Sequence, residues 1–156
     1  MRRIRKTFKR PRKAWDLARI KDERSTLKKY GLKRKKELRK AEEVIRGFRG
    51  RARELTASKD KEKENILITK LSRMGLLTKG LGLDDVLALT ANEVLDRRLQ
   101  TIVFRKGMAG SINQARQKIV HGHVSVGGRR VVFPSYLVSL DEEKTVSAVG
   151  EKGGKR

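Results

Sequence analysis

The chain contains no cysteine. That excludes a disulfide framework, a thiolate metal site and a thiol nucleophile at once. Histidine is nearly absent: His121 and His123 stand one residue apart, with no carboxylate close by. Zinc sites draw on three or four protein ligands, so this pair reads as a helix end and a strand start. Aromatic residues make up 4% of the chain and hydrophobic ones 37%. The core is therefore thin for the length, and part of the chain is expected to gain order only on binding. No run approaches the ~18 apolar residues of a membrane helix. The opening residues, MRRIRKTFKRPRK, lack the apolar segment of a secretory signal. These absences point to a cytosolic protein. The Gly-Lys-Ser/Thr ending of a phosphate loop is also missing, so the Gly127-Gly128 pair reads as a turn. Asp141, Glu142 and Glu143 form the one carboxylate cluster after residue 100, on an apparent solvated turn. Nothing here supports catalysis, a metal or a cofactor.

What the chain has is positive charge. Lys and Arg number 41 against 18 acids, a net charge of +23. Such a charge opposes compaction by self-repulsion and makes sense when a polyanion neutralises it. It is unevenly spread: residues 1–64 hold 26 Lys/Arg and 10 acids, residues 65–156 hold 15 and 8. An isolated Arg on a helix is most often a solvated surface group. That explanation fails for a run as dense as the first 64 residues.

The apolar pattern gives the organisation. Residues 1–14 read as an extended basic tail. Asp16 caps a helix running to Tyr30, with Gly31 as its stop. Leu38, Ala41, Ile45, Phe48, Ala52 and Leu55 follow at spacings of three and four, a single stripe on a basic helix. Gly47 and Gly50 weaken that helix, and allow close approach of a partner's backbone. Residues 58–65 are a charged linker or a helix start. A short helix follows through Ile68 and Leu71 to Gly75. Gly80 and Gly82 then break the chain, and Asp84 opens a turn of helix to Leu89.

The remainder is better specified. Thr90 and Glu93 form a capping box opening one helix to about Arg105, with Leu95, Leu99 and Ile102 on one face. Arg98, Thr101 and Arg105 form another stripe. Ser111 and Gln114 repeat the capping logic for a helix from Ile112 to about His121. Ile112, Ala115 and Ile119 face the core there, leaving Gln114, Arg116, Gln117 and Lys118 for solvent or ligand. Strands at His123–Val126 and Arg130–Phe133 flank Gly127-Gly128, a strong hairpin signal. Tyr136, Val138 and Leu140 alternate, Thr145–Val149 adds a last strand, and residues 150–156 form a loose tail. The fold class is α+β: a basic helical region over 15–93, then a helix-turn-helix with a small hairpin or sheet over 94–149.

Helix–turn–helix segments often read DNA from the major groove. Here the second helix is short and runs at once into a hairpin bearing Arg129 and Arg130, a mixed surface better suited to irregular RNA. The scattered aromatics form no platform for stacking single-stranded bases.

The order and spacing of several segments carry a resemblance. Arg97-Arg98-Leu99-Gln100, Phe104-Arg105, Gly107, Gln114-Ala115-Arg116-Gln117, His121-Gly122-His123-Val124, Gly128-Arg129 and Pro134-Ser135-Tyr136-Leu137-Val138 resemble the RNA-binding domain of the small-subunit ribosomal protein four family. Trp15-Asp16, Arg19-Ile20, Tyr30-Gly31-Leu32-Lys33, Lys36-Glu37-Leu38, Phe48-Arg49 and Ala52-Arg53-Glu54-Leu55 are similar to its archaeal and eukaryotic branch. Together they cover residues 15 to about 149. The resemblance implies a non-catalytic ribosomal component that binds small-subunit rRNA early in assembly of the subunit body and influences decoding accuracy. It implies that the helical region over 15–93 also binds rRNA, and it implies contact with the fifth protein of the small subunit. It places RNA-facing positions at Arg97, Arg98, Arg105, Ser111, Gln114, Arg116, Gln117, Lys118, His123, Arg129 and Arg130. Some bacterial members carry a Cys-ligated zinc, which a chain without cysteine cannot hold. The alternatives are a free-standing RNA chaperone or regulator, an RNA-modifying enzyme and a DNA-binding regulator. The first has no need of the long basic arm, and the second needs a catalytic domain for which no unassigned stretch remains.

Overall fold

A computed structural model describes residues 7–9, 11–77 and 82–149. The basic tail before Thr7, Arg10, the stretch 78–81 with the break at Gly80, and the tail at 150–156 lie outside the described residues. The chain divides into two compact units, one drawn from residues up to 68 and from 80–95, the other from 69–79 and from 96 onward.

In the first unit α1 (Leu17–Lys29) starts at Asp16, whose carboxylate accepts from the Arg19 N–H. Glu23 is buried on this helix and pairs with Lys35 at 2.8 Å and Arg19 at 3.5 Å. Helix α2 (Lys35–Ser58) buries Leu38, Ala41, Ile45, Phe48 and Ala52, the expected stripe. Each large apolar side chain buried there contributes about 1.5–3 kcal/mol relative to exposure. The charged run 58–65 is the junction of two helices: Lys59 closes α2 in the left-handed region at φ 52°, and α3 (Lys61–Arg73) begins. Helix α4 (Leu83–Ala88) buries Val86 and is capped by Gly82 and Asp85.

The expected single helix from Thr90 to Arg105 is two. Glu93 does reach back to the Thr90 N–H, and α5 (Ala91–Asp96) follows. The chain then opens at Arg97-Arg98. Arg98 is extended, at φ −68° and ψ 140°, and pairs antiparallel with Leu137 before α6 (Leu99–Arg105) begins. Three bonds hold the opening: Val138 N–H to Arg97 O at 2.9 Å, Leu99 N–H to Tyr136 O at 2.8 Å and Gln100 N–H to Pro134 O at 3.4 Å. The residues from Tyr136 to Val138 thus serve as this strap's partner.

The second unit centres on Leu99, Ile102, Val103, Ala109, Ala115, Ile119, Val124, Val126, Val138 and Val146. Ser111 caps α7 (Ile112–Val120) by accepting from the Gln114 N–H at 3.2 Å. The Gln114 side chain reaches past Ser111 to the Gly110 N–H, at 2.7 Å. Gln100, wholly buried, donates to Ile112 O and ties α6 to α7. Strand β1 (Val124–Val126) is central, flanked antiparallel by β2 (Arg129–Arg130) and β3 (Ser147–Ala148). The second hairpin strand starts one residue earlier than expected and stops at Arg130, leaving Val132 and Phe133 exposed. The carboxylate cluster sits on helix α8 (Leu140–Thr145), capped by the Ser139–Glu142 box, and not on a turn. Acids in a first helical turn are stabilised by the unpaired N–H groups there.

Candidate nucleic-acid interface

Helix α7 and the hairpin are joined by one tight stop. Gly122 takes φ 76°; its N–H donates to Ile119 O and the His123 N–H to Lys118 O, both at 2.9 Å. This pair of bonds satisfies the last helical carbonyls and turns the chain at once into β1. Four residues on, Val126 pairs with Arg129 across Gly127 and Gly128, both at positive φ. A two-residue turn with this backbone matches the twist of its strands and needs no longer loop. Arg129 and Arg130 are therefore carried on a short, firmly registered edge strand, and both are exposed.

Around them the structure brings together much of the expected set. Ser111, Gln114, Gln117 and His123 are exposed, and Arg116 and Lys118 are half-buried. The Lys118 ammonium donates to Met108 O at 2.7 Å, which fixes the loop before α7. The aliphatic part of Arg130 lies over Gly122: a Cβ there would meet Arg130 Cδ at 2.9 Å. Arg105 is exposed at the end of α6 and pairs with Asp96 at 2.5 Å.

Arg97 and Arg98 differ from the rest. Of the stripe Arg98, Thr101 and Arg105, Arg105 alone is exposed: Arg98 and Thr101 are each 5% exposed. The break after Asp96 rotates Arg98 into the unit. The Arg97 guanidinium turns inward as well. It donates to Val138 O through Nε at 3.1 Å and Nη2 at 2.9 Å, and pairs with Glu143 at 2.7 Å.

Two positioning contacts escaped the sequence. Lys106 donates to Glu143 O and Val146 O, covering the carbonyl end of α8. No local pattern signals a contact between residues so far apart in the chain. The Tyr136 hydroxyl donates to Glu142 at 2.7 Å. The Ser-x-x-Glu spacing at Ser139–Glu142 is the signal that could have placed Glu142 on a helix. Glu142 is held below its usual carboxylate range, first by the Ser139 N–H and then by the Tyr136 hydroxyl.

Among the described residues no cluster of three or more His, Asp or Glu side chains is placed to hold a metal, and no helix is long and apolar enough to cross a membrane. The arrangement offers forked cationic donors, amides and a hydroxyl on rigid elements. That donor set is suited to phosphate and sugar oxygens.

Residues 97–144 match the S4 domain family model. The chain is 46% identical over 149 residues to small ribosomal subunit protein uS4 of Thermoplasma acidophilum, an alignment covering 91% of this chain and 74% of that protein. It is 49% identical over 150 residues to small ribosomal subunit protein uS4 of Methanococcus aeolicus, covering 94% of this chain and 85% of that protein.

Proposed function

The chain belongs to the family of small ribosomal subunit protein uS4, and from that premise we propose that it is a structural, non-catalytic component of the small subunit whose second unit docks on folded small-subunit rRNA. The observation that carries this is the rigid union of α7 and the Arg129-Arg130 hairpin through Gly122. It presents Gln114, Arg116, Gln117, His123, Arg129 and Arg130 from adjoining elements, with Arg105 and Ser111 at the helix ends. Lys118, Arg97 and Arg98 act in this reading mainly by holding the frame that presents the others. Binding by such a surface is a sum of phosphate and sugar contacts placed by shape.

The high positive charge of the first 64 residues suits early binding, before other proteins have neutralised the RNA. Early binding of this kind supports a role in nucleating the subunit body. A contribution to accuracy and contact with the fifth small-subunit protein complete the proposal, and place the chain in the cytoplasm on the ribosome. Co-sedimentation of the chain with small subunits in high salt tests the reading, together with footprinting on naked small-subunit rRNA. The expected result is retention on the particle and one protected region of RNA. A chain found only free, or one protecting no region over its neighbours, overturns it.

A further inference from the structure

The sole tryptophan is not used by the core. Trp15 is 89% exposed, the most exposed of the large apolar side chains described, and Leu17 beside it is 73% exposed. Single aliphatic residues on a surface need no explanation. A bare indole does, because it leaves the largest of the apolar side chains in water.

Local packing that could cover it goes unused. Trp15 directly precedes the cap residue Asp16, and Ile20 is the fourth residue of α1. An apolar pair at those two positions often closes on itself and fixes the entry of a helix. Ile20 is half-buried, yet Trp15 stays in water.

The position is nonetheless held. Arg19 Nη2 donates to Lys13 O at 2.6 Å and to Ala14 O at 3.2 Å, tying the two residues before Trp15 to α1. The Asp16 carboxylate accepts from the Arg19 N–H at 3.4 Å, and the Ile20 N–H donates to Asp16 O at 3.0 Å, tying the residue after it. Arg19 is braced in turn. Its Nε lies 3.5 Å from the buried Glu23 carboxylate, which pairs with Lys35 of α2 at 2.8 Å. The indole is therefore carried on a turn fixed on both sides, which lowers the ordering cost of any ligand that meets it.

The surroundings decide the ligand. Residues 7–21 hold Lys9, Arg10, Arg12, Lys13, Arg19 and Lys21 against one acid, Asp16, whose carboxylate serves as the cap. A protein pocket receiving Trp15 would have to accept that charge as well. Folded RNA with one base turned out supplies both halves at once: a flat face for the indole and phosphates for the cations. The scattered aromatics form no platform for a run of bases, and one ring suits one base.

We propose that Trp15 stacks on a single unpaired base of small-subunit rRNA. The inference rests on the reading of the chain as an rRNA binder and deepens it. The surface at α7 and the hairpin offers donors for phosphate and sugar, which position a protein; a base contact helps to choose the site.

The fluorescence of the full chain tests it, since one tryptophan means that the signal reports this position alone. On titration with naked small-subunit rRNA the indole is expected to be quenched and to lose most of its accessibility to acrylamide. Heparin, a polyanion without bases, should bind the chain and leave that accessibility unchanged. In filter binding Trp15→Leu is expected to weaken rRNA binding about tenfold, the middle of the range for one stacked base. The slope of log K against log salt should stay the same, because no phosphate contact is lost. Trp15→Phe keeps a flat ring and should recover most of the affinity.

An indole as accessible in the rRNA complex as in the free chain overturns the stack, and so does one that heparin shields equally. Trp15→Leu binding like the unsubstituted chain also overturns it. Shielding seen only in the assembled small subunit, and not on naked rRNA, makes the cover a protein and overturns it too. The functional reading stands in all these cases as long as the unsubstituted chain binds small-subunit rRNA. A chain that does not bind overturns both.

Discussion

Arg97→Ala should cost stability and leave RNA recognition largely intact, the opposite of what a surface arginine would do. The Arg97 side chain is 12% exposed, and two of its three nitrogens donate to Val138 O. A charged donor on a carbonyl contributes about 1.5–3 kcal/mol, and its removal strands that carbonyl. The ion pair with Glu143 adds less, roughly 0.5–1 kcal/mol, because the Glu143 side chain is 38% exposed and can return to water. Together these predict a loss of about 2–4 kcal/mol. For a unit of this size that lowers the midpoint of thermal unfolding by roughly 10–20 °C. The sole tryptophan, Trp15, lies in the other unit and would miss the change, so the assay must be local. Amide hydrogen exchange at α7 and β1 reads it directly. A cycle with Glu143→Ala should assign no more than about 1 kcal/mol to the pair itself. Gly75→Ala should reproduce part of the loss, since a Cβ there would lie 2.9 Å from the Arg97 guanidinium. If Arg97→Ala leaves exchange at α7 and β1 unchanged yet weakens rRNA binding tenfold at a temperature where the unit is folded, the inward assignment of this side chain is wrong.

Arg129→Ala with Arg130→Ala should do the reverse: stability within ~0.5 kcal/mol, because both are exposed, and a salt slope reduced by about 0.7–0.9 for each phosphate lost. Filter binding and thermal melts in parallel check both halves. Gly122→Ala should lose about 1–2 kcal/mol from its φ of 76° and also displace Arg130, lowering affinity at 20 °C below its own melting point. The Tyr136–Glu142 bond carries a pH signature. The Glu142 carboxylate is held below its usual 4.5, so its stabilisation is present above that pH and lost as pH falls through the folded value. The Tyr136 phenol is pushed above its usual 10.0, so its contribution is present below that pH and lost as pH rises through the folded value. In Tyr136→Phe the stability lost on acidification should shrink, as urea midpoints at a series of acid pH values would show; an unchanged acid limb refutes this account of the bond.

The local elements were legible because their signals are local. The α2 stripe, the Asp16 and Ser111 caps and the glycine turn each depend on residues within four positions of one another. The opening at Arg97-Arg98 was not legible. Leu95, Leu99 and Ile102 keep helical spacing straight through it, and all three are buried on either account. What breaks the helix is pairing with Leu137 and Val138, some forty residues on, which no window of sequence contains. The two arginines were then read as surface groups because arginine usually is one. Here the Val138 carbonyl and Glu143 satisfy Arg97, an arrangement only the tertiary fold can supply. Within the candidate interface, the hairpin tip and α7 could be placed from sequence because cap and turn orient them; α6 could not, because its start is set from elsewhere.

The strand order β2-β1-β3 has a consequence for the chain before it meets RNA. Both outer strands are two residues long, and one of them consists of Arg129 and Arg130. An uncovered sheet margin ordinarily invites pairing with a second molecule. Here each margin is too short to template such pairing, and on one side any approaching copy meets two like charges. The same pair of arginines that suits the hairpin to a polyanion thus also disfavours edge-to-edge pairing of two copies.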